Sequence, residues 1–262
     1  MMRALKTAAL GMTAQQLNVD VIANNLANVN TTGYKKTSIE FQDLLYETMQ
    51  TGNRDGRKGN ENPSGIQIGL GNRPISTYRS FSEGTIAETG NPLDVAITGK
   101  GFIQVEMPDG SLAYTRDGAL KVNAEGSIVT NSGIKISPDI SVPDNVKGIA
   151  ISQDGVVSVL LNGEAEAQEI GQIELASFMN PAGLEAAGGN LFLATEASGD
   201  AVFGNPGEEG LGLLYQGYLE KSNVDVANEM INLIVAQRAY EINAKAVKTA
   251  DELMSMANNL KR

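Results

Sequence analysis

The 262-residue sequence contains no cysteine, no histidine and no tryptophan. Without cysteine there is no disulfide framework, no thiolate ligand and no thiol nucleophile. Without histidine the commonest general base and metal ligand is missing, and so is the side chain that ordinarily titrates near neutral pH. The usual catalytic triads, zinc sites and histidine switches are therefore excluded, and only a carboxylate- or lysine-based site is left open. No stretch approaches the roughly 20 apolar residues that span a bilayer. Arg3 and Lys6 break the first residues, so no secretory signal pattern reads there. Aromatics are scarce, at 5 %, whereas glycine is plentiful, at 29 residues. That balance points to turns and short strands rather than to one large aromatic core.

Charge is uneven along the chain. The whole carries −11, yet residues 73–222 alone carry −12 and the stretches on either side are nearly neutral. An acidic, solvated middle keeps a protein soluble and repels phosphate backbones, so nucleic acid is excluded as a partner. Neutral ends can crowd together.

Both ends read as long amphipathic helices. Leu5, Ala8, Met12, Gln15, Val19, Ile22, Leu26 and Val29 step by three and four, which is a heptad seam. A second apolar stripe runs through Leu10, Ala14, Leu17 and Val21, and a helix with two stripes needs neighbours on two sides. The helix is expected to stop near Asn30, where Asn-Thr-Thr-Gly supplies turn residues. The C-terminal end repeats the design from Val226 to Leu260 without Pro or Gly. Val226, Met230, Leu233, Gln237, Tyr240, Ala244, Val247, Asp251 and Met254 form one stripe, and Val235, Ala239, Ile242, Ala246, Leu253, Met256 and Leu260 form another. At 1.5 Å per residue this helix is about 50 Å long. Gln15 and Gln237 sit where polar seam residues fix register. Asn24, Asn25 and Asn28 are unusual on a seam and are expected to bond a facing backbone or the C-terminal helix.

Between the ends lie short strands. Asp109-Gly110, Asp117-Gly118 and Asp154-Gly155 are turn dipeptides flanked by apolar residues. Residues 96–105 read as a strand broken at Gly99 and Gly101, 119–129 and 149–161 as hairpins, and 170–178 as a further strand. The expected class is α+β: long N- and C-terminal helices pairing as a coiled coil, with an inserted all-β middle. The expected division is 1–45, 46–72, 73–222 and 223–262. Residues 50–65 (QTGNRDGRKGNENPSG) hold almost no apolar side chain. Alone they are expected to be disordered, with packing on neighbouring subunits as the route to order.

Chemical motifs fail on inspection. Thr98-Gly99-Lys100-Gly101 lacks phosphate-loop spacing, Gly69-x-Gly71 lacks both a third glycine and a following helix, and Asn53-Arg54-Asp55-Gly56 lacks the alternating acids of a calcium loop. No catalytic residue, cofactor or metal is expected.

The stretches ANNLANVNTTGYK (23–35), PSGIQIGLGNRP (63–74), NPLDVAITGKGFIQV (91–105), AYTRDGAL (113–120) and LLYQGYLEKSNVDVANEMINLIVAQRAYEINAKAV (213–247) resemble the rod and hook proteins of the bacterial flagellum, and within that family its distal-rod branch. The resemblance implies a structural subunit of a rigid hollow helical tube that transmits torque from motor to hook and forms part of an export channel. It implies the terminal helices inside and the β domain outside, and export without a cleaved signal through the flagellar type III apparatus. The implied partners are other copies of the chain, the proximal rod proteins, the hook protein and the P- and L-ring proteins, in a rod crossing the periplasm to the outer membrane.

The expected assembly residues on the N-terminal helix are Leu5, Met12, Val19, Ile22, Asn24, Asn25, Leu26, Asn28 and Val29. On the C-terminal helix they are Met230, Leu233, Ile234, Gln237, Tyr240, Ala244 and Val247. Gly33 is a turn residue that permits positive φ, and residues 31–36 read either as a helix stop or as an interface through Tyr34 and Lys35. The resemblance also implies a rod-stiffening insertion at 46–67, represented by Tyr46, Asn53, Arg57, Asn62, Pro63 and Gln67. Two alternatives stand at this level: a proximal rod or hook protein of the same family, and a carbohydrate-active or carbohydrate-binding β protein with helical ends.

Overall fold

A computed structural model describes residues 2–50, 65–143, 145–162, 166–208 and 210–259. The fold is α+β, and the chain divides into two compact units. Unit 1 gathers Met1–Leu26, Thr37–Tyr78 and Val226–Arg262, and unit 2 comprises Ala27–Lys36 and Arg79–Asp225.

Unit 1 holds the helices α1 (Met2–Ala27) and α2 (Val226–Asn259). Good helix formers and the absence of Pro from both spans support them. Between them in sequence run β1 (Thr37–Asp43), β2 (Tyr46–Gln50), β3 (Ile66–Gly69) and β4 (Asn72–Arg79). Strand β1 pairs with β4, and β2 pairs antiparallel with β3. The two ladders join through the Leu44 N–H to the Gly71 carbonyl, at 2.8 Å, and the Leu70 N–H to the Leu45 carbonyl, at 3.3 Å. The result is one long two-stranded ribbon that the 3.6-residue pattern of the ends had not foretold.

Unit 2 is built from β5 (Ile86–Glu88), β6 (Val95–Thr98), β7 (Phe102–Glu106), β8 (Leu112–Thr115), β9 (Leu120–Val122), β10 (Ile128–Thr130), β11 (Lys135–Ile136), β12 (Val146–Ile151), β13 (Val156–Leu161), β14 (Gln168–Gln172), β15 (Leu175–Ser177), β16 (Glu185–Gly188), β17 (Leu191–Leu193), β18 (Val202–Gly204), β19 (Leu213–Gln216) and β20 (Tyr218–Glu220). Its main sheet branches at β7, which pairs with β8, β11 and β15. Strands β12, β13 and β14 form a separate meander, while β6 pairs with β19 and β5 with β20. An aliphatic core around Ile103, Val105, Ile128, Val157 and Leu175 fills the space between them. Five aromatics cluster: Phe81, Phe102, Tyr114, Phe178 and Phe192 pack edge to face with centroids 4.8–6.1 Å apart.

The expected hairpins at 119–129 and 149–161 form as β9–β10 and β12–β13. Asp109-Gly110 turns between β7 and β8. The break at Gly99 and Gly101 separates β6 from β7, which enter different sheets. Two expectations fail. Residues 170–178 are not one strand, because β14 stays with the meander and β15 joins β7. Asp117-Gly118 forms no turn, since residues 116–118 run between β8 and β9 without one. Gly118 is instead a point of close approach: a Cβ there would fall 1.7 Å from the Val95 carbonyl oxygen. Helix α1 stops at Ala27 rather than near Asn30, and turns carry the chain onward.

Ile103 is fully buried at the branch point of the sheet. Ile103→Ala should therefore destabilise unit 2 by about 2–5 kcal/mol. Chemical denaturation followed by tyrosine fluorescence would measure this, with the far-UV helical signal unchanged before the transition.

Candidate assembly interface

Within unit 1 the two helices run antiparallel. Asn25 Nδ2 donates to Glu229 Oε2 at 3.2 Å. Gln16 and Val19 line one groove with Gln237, Tyr240 and Glu241. A Cβ on Gly11 would stand 2.9 Å from Asn243 Nδ2. As the contacts move toward the start of α1, they move toward the end of α2.

The inner row of α2 is Glu229, Leu233, Ala236, Tyr240, Asn243, Val247, Ala250 and Met254. Glu229, Ala236 and Ala250 are buried, and the others are half-buried except Tyr240, which keeps 42 % of its surface exposed. The row shares Leu233, Tyr240, Val247 and Met254 with the sequence-based stripe. Its other half consists of small or polar residues one place earlier than Met230, Gln237, Ala244 and Asp251. The helices approach closely there, so alanine and the Gly11–Asn243 contact fit where larger side chains would not. Met230, Ile234 and Gln237 lie exposed and Ala244 is half-buried.

On α1, Ile22 and Asn25 are buried, Leu5, Met12, Val19 and Leu26 are half-buried, and Asn24 is exposed. Asn28 and Val29, in the turn beyond, are half-buried, and Asn28 Oδ1 accepts the Thr31 hydroxyl at 3.0 Å. Asn25 joins three elements: its Nδ2 also donates to the Thr37 carbonyl at 2.8 Å, and its Oδ1 accepts the Thr37 N–H at 2.9 Å. The second stripe of α1 has a neighbour as well, since a Cβ on Gly71 of the ribbon would meet Leu10 at 3.2 Å. Farther along, Arg3 pairs with Glu47 at 2.7 Å.

Much apolar surface is left outside these contacts. Ile231, Ile234, Val235, Ile242, Leu253 and Met256 are exposed along α2, Ile242 by 68 %. The ribbon exposes Leu45 by 83 % and Met49 by 60 %, together with Ile66 and Ile75. Tyr46 and Gln67 stand exposed on its paired strands. Asn53, Arg57, Asn62 and Pro63 lie outside the described residues.

Tyr34 and Lys35 are not surface residues: both are buried inside unit 2, Lys35 completely. Lys35 Nζ donates to Glu220 Oε1 at 2.6 Å and to the Ser82 carbonyl at 2.7 Å. Arg116 Nε donates to Glu220 Oε2 at 2.9 Å, and its terminal nitrogens reach the carbonyls of Ile97, Gly99 and Gly101. The Gly84 N–H adds a further bond to Glu220 Oε1 at 2.8 Å. Burial alone would push the Glu220 carboxyl up, but Arg116 and Lys35 outweigh it and hold it below the usual carboxylate range. Burial, aided by the charge on Arg116, draws Lys35 below the ordinary lysine value. Gly33 lies against this network at φ +67°, where a Cβ would come within 2.8 Å of the Arg116 backbone. Only glycine combines that conformation with that approach. The sequence offered little signal for the network: Arg116 and Glu220 each stand beside a second charged residue, Asp117 and Lys221.

The profile of the "Flagella basal body rod protein" family matches residues 5–35. That of the "Flagellar hook protein FlgE/F/G D1 domain" matches 96–159, and that of the "Flagellar basal body rod FlgEFG protein C-terminal" matches 215–260. These name rod and hook members together. Full-length relatives separate them. The chain is 52 % identical to the flagellar basal-body rod protein FlgG of Borreliella burgdorferi, with all of both chains covered. It is 49 % identical to that of Caulobacter vibrioides, over 99 % of this chain and 100 % of the relative. It is 38 % identical to that of Bacillus subtilis, again over both full lengths. The chain belongs to the FlgG family of flagellar basal-body rod proteins. As an FlgG-family chain it is a structural component of the flagellar basal-body rod, and the hook alternative falls to these end-to-end matches. Among the described residues no group of His, Cys, Asp or Glu is arranged to hold a metal ion, and no helix is long and apolar enough to cross a membrane.

Removing one partner from a buried ion network leaves the other charges uncompensated. Glu220→Gln should therefore cost unit 2 about 3–5 kcal/mol, read from denaturant midpoints at pH 7. Because the folded carboxyl sits below its unfolded value, its contribution is fully present above the unfolded value. It is lost as pH falls through the folded one. Acid titration of the two proteins should thus converge only below the ordinary carboxylate range.

Proposed function

We propose that the chain is a subunit of the distal part of the flagellar rod, polymerising with its own copies into a rigid hollow helical shaft that carries torque toward the hook. The observation that carries this reading is the surplus of apolar surface in unit 1. The antiparallel pair satisfies one seam of each helix, yet a second stripe on α2 and the two-stranded ribbon present large aliphatic side chains to solvent. Each such side chain contributes about 1.5–3 kcal/mol when buried, and a patch of this extent marks an association surface. A two-stranded ribbon is also marginal in isolation. Neighbouring copies laid along α2 and the ribbon would supply the missing cover.

In this arrangement the assembly residues fall into two classes. Leu5, Met12, Val19, Ile22, Leu26, Leu233, Tyr240 and Val247 hold the helix pair together, while Met230, Ile234 and Gln237 meet neighbouring subunits. The 46–67 segment stiffens the shaft by bridging copies. The terminal helices line the inside of the tube as part of an export channel, and unit 2 forms the outside. The neighbours along the axis are the proximal rod proteins and the hook protein, and the P- and L-ring proteins surround the rod between periplasm and outer membrane. The chain reaches this place through the flagellar type III apparatus. Its role is mechanical and needs no catalysis.

Purified protein at high concentration should form straight hollow tubes in electron micrographs. Ile234→Glu and Ile242→Glu lie on the exposed face of α2, where surface substitutions change stability by within about 0.5 kcal/mol. Both should keep the monomer's circular dichroism and melting behaviour while abolishing tubes. Normal tubes from either variant would overturn the packing scheme.

A further inference from the structure

The chain passes between the two units at four places: after residues 26, 36, 78 and 225. Three of the four exits leave unit 2 beside one another, around Lys36, Ser80 and Asn223. One side chain ties them together. Asn223 Oδ1 accepts the Lys36 N–H at 2.7 Å. Its Nδ2 donates to the Ser80 carbonyl at 2.8 Å, to the Ser82 hydroxyl at 2.9 Å and to the Ser82 carbonyl at 3.2 Å. The Asn223 backbone N–H reaches the Tyr34 carbonyl at 3.4 Å, and the Ser80 N–H donates to the Lys36 carbonyl at 2.9 Å. Because Oδ1 faces a backbone N–H and Nδ2 faces carbonyls, the orientation of the amide is determined. Both ends of the amide are used, and no other side chain of that length is donor and acceptor at once. The ion network lies directly beneath: Lys35 and Glu220, the neighbours of these exits in sequence, share their salt bridge at 2.6 Å, and Lys35 also holds the Ser82 carbonyl.

We propose that Asn223 is a clamp on the chain exits of unit 2. It makes three connecting segments leave as one hydrogen-bonded bundle anchored on the Lys35–Glu220 pair. Strain applied to unit 1 then enters unit 2 through three segments in parallel. A single covalent linker can swivel about its φ and ψ angles, whereas three segments cross-linked at their roots cannot do so independently. The proposal deepens the rod reading, since a shaft that carries torque needs stiff roots at its chain crossings, and its mechanical arm rests on that reading. The local clamp stands apart from it.

The test uses the full-length chain with Asn223→Asp and Asn223→Ala. Aspartate keeps the acceptor for the Lys36 N–H but sets an oxygen against the Ser80 and Ser82 carbonyls, and alanine removes both ends. Amide exchange is measured by NMR on the monomer. In the unsubstituted chain the Lys36 and Ser80 amides should exchange at rates within about 3-fold of each other, as members of one bundle. In both variants they should exchange at least about 10-fold faster, while amides of β7 and β13 stay protected. Tubes formed by the variants should then show a torsional or bending stiffness several-fold below that of the unsubstituted chain. Unchanged exchange at Lys36 and Ser80 overturns the clamp. Faster exchange with tube stiffness intact overturns its mechanical role. Failure of the unsubstituted chain to form tubes counts against the rod reading alone, because the exchange measurement needs no polymer. If Asn223→Ala unfolds unit 2, the isosteric Asn223→Asp chain carries the comparison, and Ser82→Ala, which removes one contact, should raise exchange by an intermediate factor.

Discussion

A single carboxylate, that of Glu220, holds together parts of the chain that are otherwise far apart in sequence. Placing a charge in the interior costs several kcal/mol unless partners surround it, so the fold must deliver those partners to one point. Lys35 comes from the segment after the first helix, Gly84 from the stretch after the ribbon, Arg116 from the end of β8, and Glu220 itself from the last strand. Arg116 in turn uses the carbonyls of the Gly99–Gly101 loop. Each partner is worth little alone and each is needed once the others are buried. Unit 2 is thereby closed by the segments that leave it.

Unit 1 works by a different balance. Its helix pair is closed by small residues, a few aliphatic side chains and polar contacts such as that of Asn25 with Glu229. A polar pair in a seam adds less to stability than an apolar one but favours one register over its neighbours. Asn25 also grips Thr37 at the start of the ribbon, so the register of the helices and the path of the ribbon are set together. The remaining large aliphatic side chains, Ile234, Val235 and Ile242 among them, stay exposed, and in the proposed rod other copies would cover them. One unit is thus satisfied within itself, and the other would be completed by assembly in the proposed rod.

How much of this was legible in the sequence depended on the range of the interaction. The helices were visible because their apolar residues repeat every three or four places along one continuous segment. Hairpins with a Gly near the turn, at 119–129 and 149–161, were visible for the same reason. The ribbon was not, because its strands are mostly exposed, their apolar alternation is short (Ile39 and Phe41 in β1, Ile66 and Ile68 in β3), and the pairing of β2 with β3 spans the 51–64 segment. The true inner row of α2 was half hidden. Ala236, Asn243 and Ala250 give little hydrophobic signal, and a strict three-and-four spacing counted from Val226 and Met230 ran through Gln237 and Ala244 instead.

The sequence by itself determined the exclusions and the family. Absent cysteine and histidine close off whole chemistries, and ordered motifs along the chain tie it to rod proteins from end to end. Those are properties of composition and local order. Only the tertiary structure decided what Lys35, Arg116, Glu220 and Asn223 do. A lysine and a glutamate 185 positions apart carry no sign of each other in one sequence. Their meaning arises when the fold removes both from water and leaves each as the other's neutralising partner.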